Sequence, residues 1–140
     1  MFENPSKTEI DALLRRTRSI AVLGLSDSPD RPSHNIARAL QKFGYRIVPV
    51  NPAAAEILGE KSWPDLESAL RDSGPIDVVQ VFRRPEHVAG IVDEAIRLKV
   101  PALWFQEGVI DEQAAAKARA AGIFTVMNRC MFRDRSTLAA

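Results

Sequence analysis

Ser19-Ile20-Ala21-Val22-Leu23-Gly24-Leu25-Ser26-Asp27-Ser28-Pro29-Asp30-Arg31-Pro32-Ser33-His34-Asn35 is the stretch that decides the fold. An apolar run from Ile20 to Leu23 reaches a glycine, a polar turn follows, and residues at helical spacing come next. That is a strand, a tight turn and the start of a helix. Such a junction aims free backbone N–H groups and the positive end of a helix dipole at one spot, which suits a phosphate.

Outward from this junction the chain alternates. Ile20 to Leu25 is a first strand whose unbroken apolar character predicts burial on both faces, as a parallel sheet requires. Ile36, Leu40 and Phe43 mark a helix that Gly44 ends. Arg46 to Asn51 is a second strand, stopped by Pro52. A loop with Ala53 to Ala55 and Gly59 leads to a short helix opened by Trp63-Pro64-Asp65-Leu66. Ile76 to Phe82 is a third strand. Pro85 stands in the first turn of a helix that buries Val88, Ile91, Val92, Ala95 and Leu98. Ala102 to Gln106 is a fourth strand, Asp111 caps an alanine-rich helix ended by Gly122, and Ile123 to Met127 is a fifth strand. The polar tail after Asn128 reads as a loop.

Upstream, Ser6 and Glu9 form a capping box ahead of the stripe Ile10, Leu13 and Leu14. Residues 1–18 therefore read as an N-terminal helix packed on the domain formed by residues 19–140. The expectation is an α/β protein: one Rossmann-type, doubly wound domain with a five-stranded parallel sheet, order 3-2-1-4-5, and helices on both faces.

Bulk composition narrows the function. With 140 residues, 46% hydrophobic and 26% charged, the chain is long enough to bury one core without staples. A net charge of +1 gives no reason to expect nucleic acid or a membrane surface as partner. Any bound anion must meet a local cluster of donors. The single cysteine, Cys130, excludes an internal disulfide and a multi-cysteine metal site, and it fits a reducing, cytoplasmic setting. No apolar run approaches a membrane span, and the first residues lack the apolar core of a signal peptide.

In a sheet of this kind ligands lie beyond the carboxyl ends of the strands. That gathers Gly24 to Asn35, Asn51-Pro52, Arg83-Arg84-Pro85, Gln106-Glu107-Gly108 and Asn128-Arg129-Cys130 around one crevice. A nicotinamide cofactor is disfavoured. Its fingerprint needs further glycines where this chain has Gly-Leu-Ser-Asp-Ser-Pro, and an acidic residue where strand two ends in Asn51. Nor does a Gly-Lys-Ser/Thr of a phosphate-binding loop follow. What remains are the hydroxyls of Ser26, Ser28 and Ser33, the donors of the next helix, and Arg31. A pyrophosphate with a further phosphate would suit this set. Arg31 and Arg83 each read as phosphate partner or surface arginine. Arg84, as a direct neighbour of Arg83, should point the other way.

These residues resemble a known family. Val22-Leu23-Gly24-Leu25-Ser26, Arg31-Pro32-Ser33, Gly44 to Pro52, Val81-Phe82-Arg83-Arg84-Pro85, Trp104 to Gly108 and Met127-Asn128-Arg129-Cys130 are similar to the small stand-alone CoA-binding proteins. Those in turn resemble the N-terminal CoA-binding domain of the succinyl-CoA synthetase α subunit. The resemblance implies a site for coenzyme A, with Gly24, Leu25 and Ser26 facing the diphosphate. Arg31 and Ser33 would stand near the phosphates, Asn51 and Pro52 near the adenosine, and Arg83, Arg84 and Pro85 along the cofactor. Gln106, Glu107 and Gly108 correspond to the synthetase's Glu-Gly turn. The synthetase's phosphorylated histidine belongs to a second domain without counterpart here, so a non-catalytic module is expected.

Other readings stand beside this one. His34, Glu107 or Cys130 could serve an acyl-CoA hydrolase or transferase, and Cys130 could sense redox state by capping the CoA thiol. The plainer alternatives are an exposed His34, a solvated His87, a loop-ordering Glu107, a structural Cys130, and Trp63 and Trp104 as core anchors. The expected partner is a small molecule, CoA or acyl-CoA. A homodimer or a protein partner is left open.

Overall fold

In the computed structural model, which describes residues 2–138, the chain opens with α1 (Lys7–Arg16), β1 (Ser19–Leu23), α2 (Pro32–Lys42) and β2 (Arg46–Val50). A small antiparallel pair follows, β3 (Glu56–Ile57) and β4 (Glu60–Lys61), then α3 (Leu66–Asp72) and β5 (Val78–Val81). A 3-10 turn (Pro85–His87) runs into α4 (Val88–Leu98). The chain ends with β6 (Ala102–Phe105), α5 (Glu112–Ala120), β7 (Phe124–Met127) and α6 (Met131–Ser136).

Five strands form one parallel sheet in the order β2-β1-β5-β6-β7. Strand alternation sorts the side chains into two cores. Ala21, Leu23, Val48, Val79, Val81, Leu103 and Phe105 face α3, α4 and α5, while Ile20, Val22, Ile47, Val78, Trp104 and Val126 face α1, α2 and α6. Trp104 and Phe105 are fully buried on opposite faces, and each such side chain stabilises the fold by about 1.5–3 kcal/mol.

The expected order 3-2-1-4-5 is corrected to 2-1-3-4-5, because the third main strand, β5, pairs with β1 and not with β2. Pro49 supplies the physical reason. Proline has no N–H to give to a ladder, so its strand belongs at a sheet edge. β2 is such an edge, and Pro49 turns its carbonyl outward to accept the Trp63 N–H at 2.9 Å. The opposite edge, β7, is covered by a side chain: the Asn4 amide both donates to Met127 O (2.9 Å) and accepts from Met127 N (2.8 Å).

Two further differences are local. The segment expected to be a plain loop carries the β3–β4 pair, and the polar tail forms α6. Elsewhere the caps agree with the sequence. Ser6 and Glu9 make the capping box, and Asp65 and Asp111 cap α3 and α5.

Candidate functional site

Sheet winding reverses at β1, so the carboxyl ends of β1 and β5 open side by side into a cleft of about 700 Å³. Gly24 lies at its centre, with φ +81°. A Cβ there would lie 2.2 Å from the Phe82 carbonyl oxygen and 3.0 Å from Arg83 Cδ, so only glycine fits and the Arg83 stem passes directly over it. With the order expected from sequence, the Arg83 loop would have been peripheral. The observed order puts it at the middle of the site.

The loop after β1 closes on itself. Ser26 N–H donates to Ser33 Oγ (3.0 Å), and Ser28 N–H donates to Ser26 Oγ (3.0 Å). His34 is buried rather than exposed, its Nδ1 2.9 Å from Ser26 O, because the loop folds over the first turn of α2. Asn51 ties the next loop to the first, donating to Leu25 O (2.9 Å) and accepting from Ala53 N (2.8 Å). These groups shape the turn.

The arginines are placed otherwise. Arg31, at the N-cap position of α2, and Arg83 and Arg84, after β5, are exposed and line the cleft. Among the described residues none of the three guanidiniums has a hydrogen-bond or ion-pair partner. Arg84 lines the cleft together with its neighbour, contrary to expectation, because β5 ends at Val81 and strand alternation does not extend to these residues. Glu107 is held by Arg133 (Nη1 to Oε2, 2.7 Å), and this bond holds the Arg133 guanidinium more firmly in its charged form.

Of the residues singled out from sequence, Gly24, Ser26, Arg31, Ser33, Asn51, Pro52, Arg83, Arg84, Gln106 and Glu107 line the cleft. Leu25, Pro85 and Gly108 do not. The Leu25 side chain is fully buried in the core, Pro85 starts the 3-10 turn, and the Gly108 N–H donates to Asn128 Oδ1 (2.9 Å). The Asn128-Arg129-Cys130 loop stands behind the cleft. Arg129 grips the buried Asp134 carboxylate with two bonds (2.8 and 2.6 Å), and its carbonyl accepts from Trp104 Nε1 (2.8 Å). Cys130 is buried at the start of α6. Sequence reading missed Ile36, Val50, Phe82, His87 and Val109 as lining residues. His87 had a usable signal, since Pro85 starts a turn that returns the third residue toward the strand end. Among the described residues no cluster of three metal-ligating side chains occurs, and no helix is long and apolar enough to cross a membrane.

Residues 18–135 match the CoA binding domain family. The chain belongs to that family. It is 43% identical over 130 residues to the uncharacterized protein YneT of Bacillus subtilis, covering 93% of this chain and 94% of the relative. A hypothetical protein from Pyrococcus horikoshii superposes with TM-score 0.86 at 33% identity, covering 99% of both chains. The dinucleotide-forming acetyl-coenzyme A synthetase 1 of Ca. Korarchaeum cryptofilum shares the fold at TM-score 0.65 and 23% identity. That match covers 81% of this CoA binding domain and 27% of the synthetase chain.

Proposed function

We propose that the protein binds coenzyme A, free or acylated, at the carboxyl edge of its sheet, and that it acts as a binding module rather than an enzyme. One observation carries this reading: three arginines whose guanidiniums have no partner among the described residues line a cleft built over an obligatory glycine. Coenzyme A bears a diphosphate and a 3′-phosphate, and arginine forks match phosphate oxygens in pairs. Membership in the CoA binding domain family supports the same ligand. On this reading Arg31, Arg83 and Arg84 take the phosphates, Gly24 and Ser26 border the diphosphate, and Asn51 and Pro52 border the adenosine.

Two groups that could have served acid–base chemistry are occupied. Glu107 is paired with Arg133, and His34 Nδ1 lies 2.9 Å from Ser26 O. This favours holding a ligand over turning it over. The likeness to the binding domain of acyl-CoA synthetases fits a module that presents the cofactor to a partner, in a reducing compartment that keeps Cys130 and the CoA thiol unoxidised.

Native mass spectrometry tests the reading. Protein purified without added ligand, then mixed with coenzyme A, should gain one cofactor mass per chain, and a panel of acyl-CoAs should remain intact. An unshifted mass would overturn the ligand, and steady acyl-CoA turnover would overturn the non-catalytic role.

A further inference from the structure

Beside the arginines, the cleft meets one polar side chain whose orientation is imposed from within the core. Gln106 is only 4% exposed yet lines the cleft. Its Oε1 accepts the Met131 backbone N–H at 3.0 Å and Gln80 Nε2–H at 3.2 Å. A backbone N–H can only donate, so the inward end of this carboxamide must be oxygen. The Nε2 group is thereby turned the other way. It meets no acceptor among the described residues and is not an enclosed orphan, so it opens on the cleft.

Gln80 is the unusual member. It is fully buried in β5, in register with Val22 of β1 on one side and Trp104 of β6 on the other. Those neighbours, and Val126 beyond them, are apolar. By giving its N–H to Gln106, Gln80 leaves its own Oε1 buried without a partner among the described residues. An orphaned acceptor lowers stability, and an apolar side chain of equal length would remove it. Core packing alone therefore gives no reason for a glutamine at this position.

We propose that Gln80 is a positioning residue: it holds the Gln106 carboxamide so that the cleft presents an N–H donor to a neutral oxygen acceptor of the ligand. Charge is left to the arginines. The residue next to Gln106, Glu107, is neutralised by Arg133, so this end of the cleft carries no net charge to attract a phosphate. This rests on the coenzyme A reading, and within it the acceptor is an amide carbonyl of the pantetheine arm.

The test compares Gln80→Met and Gln106→Met with wild type, using coenzyme A and 3′-phospho-ADP, its nucleotide end without the arm. Each variant should bind coenzyme A about tenfold more weakly and 3′-phospho-ADP equally well. The double variant should be no weaker than Gln106→Met alone, and Gln80→Met should melt at or above the wild-type temperature. A merely structural glutamine predicts a lower melting temperature and unchanged or uniformly reduced binding, which would overturn the inference. Wild type that binds neither ligand would instead defeat the coenzyme A reading and this inference with it. If Gln80→Met does not fold, side-chain amide NMR of the wild type decides. The Gln106 pair, assigned by its loss in Gln106→Met, should shift with coenzyme A and not with 3′-phospho-ADP; a pair unmoved by both overturns the inference.

Discussion

After β1, the loop from Gly24 to Arg31 is held by hydroxyls: Ser26 and, from the first turn of α2, Ser33 accept from backbone N–H groups of the loop. After β5, Arg83 and Arg84 line the cleft, exposed and with no partner for their guanidiniums among the described residues. Both loops border the same cleft, yet the first uses the Ser26 and Ser33 hydroxyls to hold its shape and leaves only Arg31 available, whereas the second leaves both its arginines available. Proximity to a cleft therefore does not make a hydroxyl a ligand group. Substitutions at Ser26 or Ser33 should act on stability, and those at Arg31, Arg83 or Arg84 on affinity.

The sharpest break of this contrast is Gly24→Ala. Its added Cβ would overlap the Phe82 carbonyl at 2.2 Å on a backbone at φ +81°, so a loss of about 3 kcal/mol or more is expected in urea denaturation. Gly108→Ala is the control. Its φ is +83° but nothing lies within 4 Å, and a cost of about 1 kcal/mol is expected. Next comes Arg83→Ala, which should weaken coenzyme A by about 1.5–3 kcal/mol in calorimetry. The same variant should flatten the salt dependence of binding and keep stability within about 0.5 kcal/mol of wild type.

Ser33→Ala should show the opposite profile, losing about 1 kcal/mol of stability with the bond to Ser26 N while the salt dependence stays unchanged. The smallest effect is expected for Glu107→Gln. It removes the carboxylate lining the cleft and releases Arg133, so coenzyme A should bind slightly more tightly, by less than about threefold.

What could be read in the sequence follows how local each signal was. Caps at Ser6, Asp65 and Asp111, and apolar runs ending in glycine, depend on a few neighbouring residues, so the elements were legible. Strand order was legible too, through Pro49, which marks β2 as an edge; the expected order placed that strand inside the sheet. α6 was not. It is six residues long, its N-cap Cys130 makes no side-chain cap bond, and it is held by the buried Met131 and the Arg129–Asp134 pair, both tertiary features. The cleft residues were largely found because strand ends are predictable. Their roles were not, since whether Ser33 or Arg83 has a partner depends on how the loops close.

The central claim is that the cleft grips the anionic tail of coenzyme A through unpaired arginines. Calorimetric titration of the wild-type protein with coenzyme A, dephospho-CoA and NAD tests it most directly. Coenzyme A should bind most tightly, dephospho-CoA about tenfold or more weaker for want of its 3′-phosphate, and NAD weakest. Coenzyme A binding no tighter than NAD would contradict the account.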